Sequence, residues 1–329
     1  LGGPKDYLIY RLTGEWVTDR STAAATGLYD SQNETWDTEL LDWLGVTQGW
    51  LPHVVPLTGQ LALLPAAAEQ LGVPATARVV AGALDGVLVH LGMGCVREGL
   101  ASCTIGTSSA VRVSSPQRVT DAKGRTWCYP IVDGIWLAGG AGNNGGNVLA
   151  WFHGLCTEMA RLGGSQATQE GTSNAVDLTV DQIVELAMHA PPGADGLLFV
   201  PYLFGERSPL WREDLTGAFV GLSPLHGPPH LARAVLEGIS MGAGGIYHAL
   251  VEHAGPRQEI RAGGGFTASP AWVQLQCDIL GAPIAVTATG QETATGAAML
   301  AWHAIEGLPL QELQDAITVT HHFAPSHSR

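Results

Sequence analysis

Positive charge is scarce in this sequence. Its 329 residues carry 16 lysines and arginines against 30 aspartates and glutamates, a formal net charge of −14 at pH 7. With no basic stripe to neutralise phosphates, nucleic acid is excluded as a partner. Any anionic substrate must be captured locally, by backbone amides, a few arginines or a metal ion. Cysteine is sparse as well: Cys95, Cys103, Cys128, Cys156 and Cys277 form an odd, scattered set with no CxxC pair. That pattern is the one expected of reduced, buried thiols in a cytoplasmic protein. No apolar run approaches the length of a membrane-spanning helix, so no membrane partner is expected. The first residues, LGGPKDYL, show neither an initiator methionine nor a signal peptide and read as a chain that starts partway through a protein. Only 14% of residues are charged against 46% hydrophobic, which predicts a large, well-packed core. The length predicts two domains, or one and a half.

What the sequence does have is alternation of strands and helices. ARVVAGALDG (77–86) reads as a buried strand entering a turn, and VLVHLGMGCV (87–96) as the helix after it. GLASCTIGTSS and AVRVSS (99–115) then read as a hairpin, and GIWLAGGAGNNGG (134–146) as a third strand ending in a glycine-rich turn. DGLLFVPYL, EIRAGGG and PIAVT are further strands, separated by helices in HLARAVLEGISMGAGGIYHALVEH, SPAWVQLQCDIL and ETATGAAMLAWHAIEG. The pattern predicts an α/β architecture, a mixed sheet flanked by helices. Its boundary falls near residues 95–99, giving units 1–97 and 98–329.

Three glycine-rich turns and one aspartate carry the chemistry. TIGTSSA (104–110), GGAGNNGGN (139–147) and AGGGFTASP (262–270) each lie at a strand end, where backbone amides approach an anion without steric cost. Each has a bland reading as a tight turn; together they suggest a nucleotide held by backbone. There is no Walker lysine and no GxGxxG fingerprint. Asp85 is the single charge after Arg78 in RVVAGALDGVLVHLGMG, an expensive placement unless the carboxylate is used. It reads as a catalytic carboxylate, as a helix N-cap, or as both. Ser269 is a candidate N-cap followed by a first-turn proline, Pro270. His90, His153, His230 and His248 have no ligand spacing and read as core or surface residues. Trp36, Trp43 and Trp50 read as ordinary packing, and no metal-ligand residues stand out.

In order along nearly the whole chain, KDYLIYRLTGEWVTDRSTAAATGLYD, AGALDG, TIGTSSA, PYLFGERSPLW, AGGGFTASPAWVQLQCDILGAPI and ETATGAAMLA resemble the FGGY family of carbohydrate kinases. The resemblance implies actin-like ATPase (ribonuclease H-like) domains, ATP and Mg2+ as cofactors, and a sugar or sugar acid as substrate. LDGVLVHLG, GRTWCY and NNGGNVLAWF look most like gluconate kinases; xylulose kinase, or a non-catalytic nucleotide-binding remnant, are the alternatives. By resemblance Asp85 is the general base. Gly106, Thr107 and Ser108 touch the β- and γ-phosphates, and Gly146 and Asn147 lie near ribose and phosphates. Gly264, Gly265 and Phe266 flank adenine, and Ser269 lies near the base or caps its helix. Glu206 and Arg207 read as a structural ion pair holding a loop. The family's first phosphate loop, of Asp-x-Gly-Thr type, is not found, so roughly the first third of a member is expected to be missing. If so, apolar surface on residues 1–95 is left open and partnering follows, a homodimer being one form.

Overall fold

The computed structural model describes residues 1–132, 134–164, 179–288 and 290–326. At its centre lies a seven-stranded mixed sheet in the order Val319–Phe323, Ile284–Thr287, Glu259–Gly263, Leu100–Ile105, Ser109–Ser115, Trp136–Gly142, Trp127–Pro130. Leu100–Ile105 joins the two halves. It runs antiparallel to Ser109–Ser115, with Ile105 opposite Ser109, and parallel to Glu259–Gly263, with Thr104 opposite Gly263. Ser109 through Ser114 are all buried, because helices cover both faces, and apart from Arg112 the strand is a run of small and β-branched residues. The main core gathers Ala101, Val111 and Val113 from the sheet with Leu236, Ile239 and Ile246 from the helix Pro228–Ala254. That helix is long and apolar enough to cross a membrane, which corrects the reading that no stretch is. Since 72% of its most apolar stretch is buried, it serves as the central core helix.

Several elements differ from the sequence reading. Leu198–Val200 of DGLLFVPYL is not in the main sheet; it pairs antiparallel with Ala218–Val220 as a separate ribbon. Arg78–Val80 is short and only partly buried, pairing with Gln60–Ala62. Trp127–Pro130 and Val319–Phe323 are sheet edges that the sequence reading does not foresee, since partly exposed edge strands lack a strong apolar pattern. Trp36 is buried, but Trp43 and Trp50 are 80% and 56% exposed, so the heptad spacing of the three is not shared packing.

The helices Asp85–Gly92 and Glu292–Glu306 cross at backbone contact. A Cβ on Gly92 would stand 1.8 Å from the carbonyl oxygen of Glu292, and one on Gly296 1.9 Å from that of Leu88. Around the crossing, Leu57, Val87, Leu91 and Val96 share a core with Leu137, Met299, Leu300 and Leu310. Packing is therefore continuous across residues 97 and 98. Gly296→Val should force the helices apart and cost about 3 kcal/mol, read as a lower midpoint of thermal unfolding; an unchanged midpoint would refute the crossing.

Candidate active site at the glycine-turn edge of the sheet

Strand direction brings the three glycine turns together. Leu100–Ile105, Glu259–Gly263 and Trp136–Gly142 all point the same way, so their carboxyl ends lie along one edge of the sheet. Open α/β sheets bind ligands beyond such ends. Gly264 has φ +93°, and a Cβ there would stand 2.7 Å from the Ile105 carbonyl oxygen, so only glycine fits this close approach. Gly106 and Gly265, by contrast, have nothing among the described residues within 4 Å of where a Cβ would stand, and Thr107 and Ser108 are exposed at the hairpin tip. Those positions leave room for a ligand.

The other predicted residues support the turns from behind. The Gly146 N–H donates to the Gly106 carbonyl at 2.6 Å and the Asn147 N–H to that of Thr107 at 3.2 Å. These amides are therefore engaged by the hairpin. The Asn147 side chain accepts from the N–H groups of Gly145 and Val148 at 2.8 and 2.9 Å and donates to the Asn143 carbonyl. Phe266 turns its ring into the core, edge-on to Trp272 with ring centroids 6.0 Å apart, so its side chain anchors the turn and does not present a face to a base. Ser269 is the N-cap of Pro270–Leu280, accepting from the Trp272 N–H at 3.4 Å.

Glu206 and Arg207 hold a loop, but not as an ion pair. Buried Glu206 accepts from the N–H groups of Asn143 and Arg207 at 2.6 and 2.9 Å and from the Asn144 amide at 3.2 Å. Arg207 donates instead to the Asn143 side chain and the Gly142 carbonyl. Amide donors satisfy this carboxylate, which brings PYLFGERSPLW onto the GNNGG turn.

Asp85 opens the helix Asp85–Gly92; Leu84 is the N-cap, which removes the capping alternative. The exposed Asp85 carboxylate accepts from the Gly86 N–H at 2.6 Å. Its turn hangs from the first unit: the Leu84 N–H donates to Ser21 Oγ at 2.9 Å, and Ser21 donates to Asp19. Asp19 is fully buried and paired with Lys5, which also donates to the Ala81 carbonyl at 3.1 Å. On the sheet side lies Arg112, only 9% exposed. Its guanidinium packs on Gly86, where a Cβ would stand 3.1 Å from Nε, and it donates to Thr104 Oγ1 at 3.4 Å. Burial lowers its pKa, and nearby Asp85 is the largest opposing influence. Sequence reasoning missed Arg112 and Thr104, although a lone charge inside AVRVSS is a signal of the same kind as Asp85.

His90, in the same helix, is a core residue. Ser114 donates its hydroxyl to the Cys95 carbonyl at 2.9 Å, so it accepts from His90 Nε2–H at 3.0 Å, while Nδ1 accepts from Ser102 at 2.8 Å. Among the described residues, no three His, Cys, Asp or Glu side chains gather as metal ligands. Magnesium held mainly by the phosphate oxygens of a nucleotide needs only one or two protein carboxylates, so such a cluster is not required for it.

Models of the N-terminal and C-terminal domains of the FGGY family of carbohydrate kinases match residues 1–92 and 101–305. The chain belongs to that family. The mixed sheet and its helices are the actin-like ATPase (ribonuclease H-like) fold of FGGY kinases. Among FGGY relatives, a gluconokinase of Bacillus subtilis is 38% identical over 304 residues, 92% of this chain and 58% of that protein. A gluconokinase of Bacillus licheniformis is 36% identical, covering 98% and 62%. Two Lactobacillus acidophilus structures match at 32% identity. A xylulose kinase has a TM-score of 0.88, covering 98% of this chain and 63% of that one; a gluconate kinase has 0.87, covering 99% and 63%. The chain thus spans about three fifths of the length of these relatives.

Burial pushes His90 from 6.5 down to about 3, so it stays neutral in the folded state while the unfolded chain takes up a proton near 6.5. Stability is therefore full above pH 6.5 and falls as pH drops toward about 3. His90→Gln should be less stable at neutral pH yet lose less stability between about pH 7 and about pH 4. A parallel loss in both proteins, by denaturant titration, would refute this.

Proposed function

We propose that this chain acts in ATP-dependent phosphorylation of a sugar acid, converting gluconate to 6-phosphogluconate. The observation that carries the reading is the convergence of three glycine turns at one sheet edge with an exposed carboxylate, Asp85, beside a buried guanidinium. The similarity to gluconokinases at 38% and 36% identity supports the choice of sugar acid. Residues 1–97 then serve as part of the sugar-side domain and 98–329 as the nucleotide-side domain. Gly106, Thr107 and Ser108 bind the β- and γ-phosphates, and Gly264 and Gly265 flank adenine.

Asp85 accepts the proton of the sugar hydroxyl as that oxygen bonds to the γ-phosphorus and the bond to the β-phosphate oxygen breaks, releasing ADP. Magnesium supplies neutralisation of the phosphate charge. Its carboxylate suits the task because Gly86 N–H orients one oxygen and leaves the other for the substrate. Tyr7, Leu8, Trp43 and Trp50, exposed in the first unit, offer apolar surface to a partner, a second copy of the chain included.

Asp85→Asn should reduce kcat by about 10²–10⁴-fold with ATP affinity retained; equal loss of ATP affinity would make Asp85 structural. Gly265→Trp should weaken ATP binding by filling the open side of that turn, and unchanged affinity would move the adenine site elsewhere. Because a xylulose kinase shares the fold at a TM-score of 0.88, ATP consumption is compared with gluconate and with xylulose. Preference for xylulose would overturn the substrate assignment. ATP binding without turnover on either sugar would point to a non-catalytic nucleotide module.

A further inference from the structure

We propose that Arg112 is a phosphoryl-binding residue, its buried guanidinium receiving anionic oxygens of the transferred group between Asp85 and the Gly106–Ser108 turn. This rests on the phosphoryl-transfer reading above, and it adds a residue that the glycine turns do not include.

Arg112 carries an unmatched charge. A guanidinium is protonated at any working pH, and burying it without a counter-charge is costly. Most other interior arginines have strong acceptors: Arg233 pairs with Glu237 at 2.6 Å, Arg125 with Asp121 at 2.7 Å, and Arg261 donates to the Met93 carbonyl at 2.9 Å, while Arg257, whose Nε is also unpartnered among the described residues, still donates to the Ala254 carbonyl. Arg112 does not. Among the described residues its one hydrogen bond is the long contact to Thr104 Oγ1 at 3.4 Å, and Nε has no partner.

Its position says what the missing acceptor is. Register places Ser102 opposite Arg112 and Thr104 opposite Ala110, so Ser102, Thr104 and Arg112 share one face of the hairpin. That is the face on which the Asp85 helix lies, since His90 bonds Ser102. Arg112 therefore lies on the face shared by the Asp85 helix and Thr104, packed on Gly86, where any side chain would crowd it. Asp85 is not its partner in the resting protein: one carboxylate oxygen takes the Gly86 N–H, and no ion pair with Arg112 forms among the described residues. An incoming phosphoryl group, with several anionic oxygens that can each accept an N–H, suits the guanidinium fork. In a chain of net charge −14, such a fixed cation is also the local device that anion capture requires.

The test uses Arg112→Met and Arg112→Lys, with inorganic tripolyphosphate as the probe and thermal unfolding and calorimetry as readouts. Without ligand, Arg112→Met should unfold at the same temperature as the parent or higher, because it replaces an unmatched buried charge with an apolar chain of similar length. Its affinity for tripolyphosphate should fall about tenfold or more, with Arg112→Lys in between. A lower midpoint with undiminished tripolyphosphate affinity would make Arg112 structural and overturn the proposal, as would a parent protein that does not bind the probe. If the methionine variant fails to fold, the lysine variant decides: affinity equal to the parent overturns the proposal, and reduced affinity supports it. Arg112-dependent tripolyphosphate binding without sugar phosphorylation would remove the kinase reading and leave this assignment standing. Phosphorylation unchanged in Arg112→Met would do the reverse.

Discussion

Two glycines allow two helices to touch backbone to backbone, and the position of the candidate base depends on that contact. At Gly92 and Gly296 there is no room for even a methyl group, so the Asp85–Gly92 helix has one seat against Glu292–Glu306. The same helix is fixed twice more. His90 ties its middle to Ser102 and Ser114 on the central hairpin, and Ser21 ties the Leu84 turn to the first unit. Three attachments between Leu84 and Gly92 hold Asp85 in a defined relation to the strand ends. Positioning of this kind is where much of the catalytic advantage in phosphoryl transfer originates.

Polar groups inside the molecule fall into two kinds. His90, Glu206 and Asp19 are buried with hydrogen-bond partners; His90 and Glu206 join separate segments directly, and Asp19 does so through Lys5, which also donates to the Ala81 carbonyl. Such satisfied groups define how loops and helices dock. Arg112 belongs to the second kind, buried next to the open site with donors left over. Residues that weaken the resting structure in this way are characteristic of sites that complete themselves with a ligand.

Much of the architecture was legible from residue order. The hairpin around Gly106, the strand entering GNNGG and the strand–helix passage through AGGGFTASP all stand where glycine, β-branched and capping residues place them. Edge strands were not legible, because Trp127–Pro130 and Val319–Phe323 are defined by the neighbour they pair with and not by an apolar pattern. For the same reason the apolar run at Leu198–Val200 read as part of the sheet although it pairs elsewhere. The helix crossing was hidden too, since a glycine that permits contact looks like any other glycine in a sequence.

By itself, then, the sequence determined the α/β order of elements, the glycine turns at strand ends and the isolated aspartate at the start of a helix. These are local matters, set by propensity, periodicity and the cost of placing a charge in an apolar run. Tertiary structure alone decided which turn faces the ligand space and which supports it. Gly106 and Gly265 are open while Gly146 and Asn147 brace the hairpin, a distinction made by hydrogen bonds between segments some forty residues apart. It alone decided that, among the described residues, Glu206 is a brace held by amide donors with no ionic partner and Arg112 is a buried cation with none. Whether a charged side chain is satisfied depends on what the rest of the chain brings to it, and that information exists only after folding.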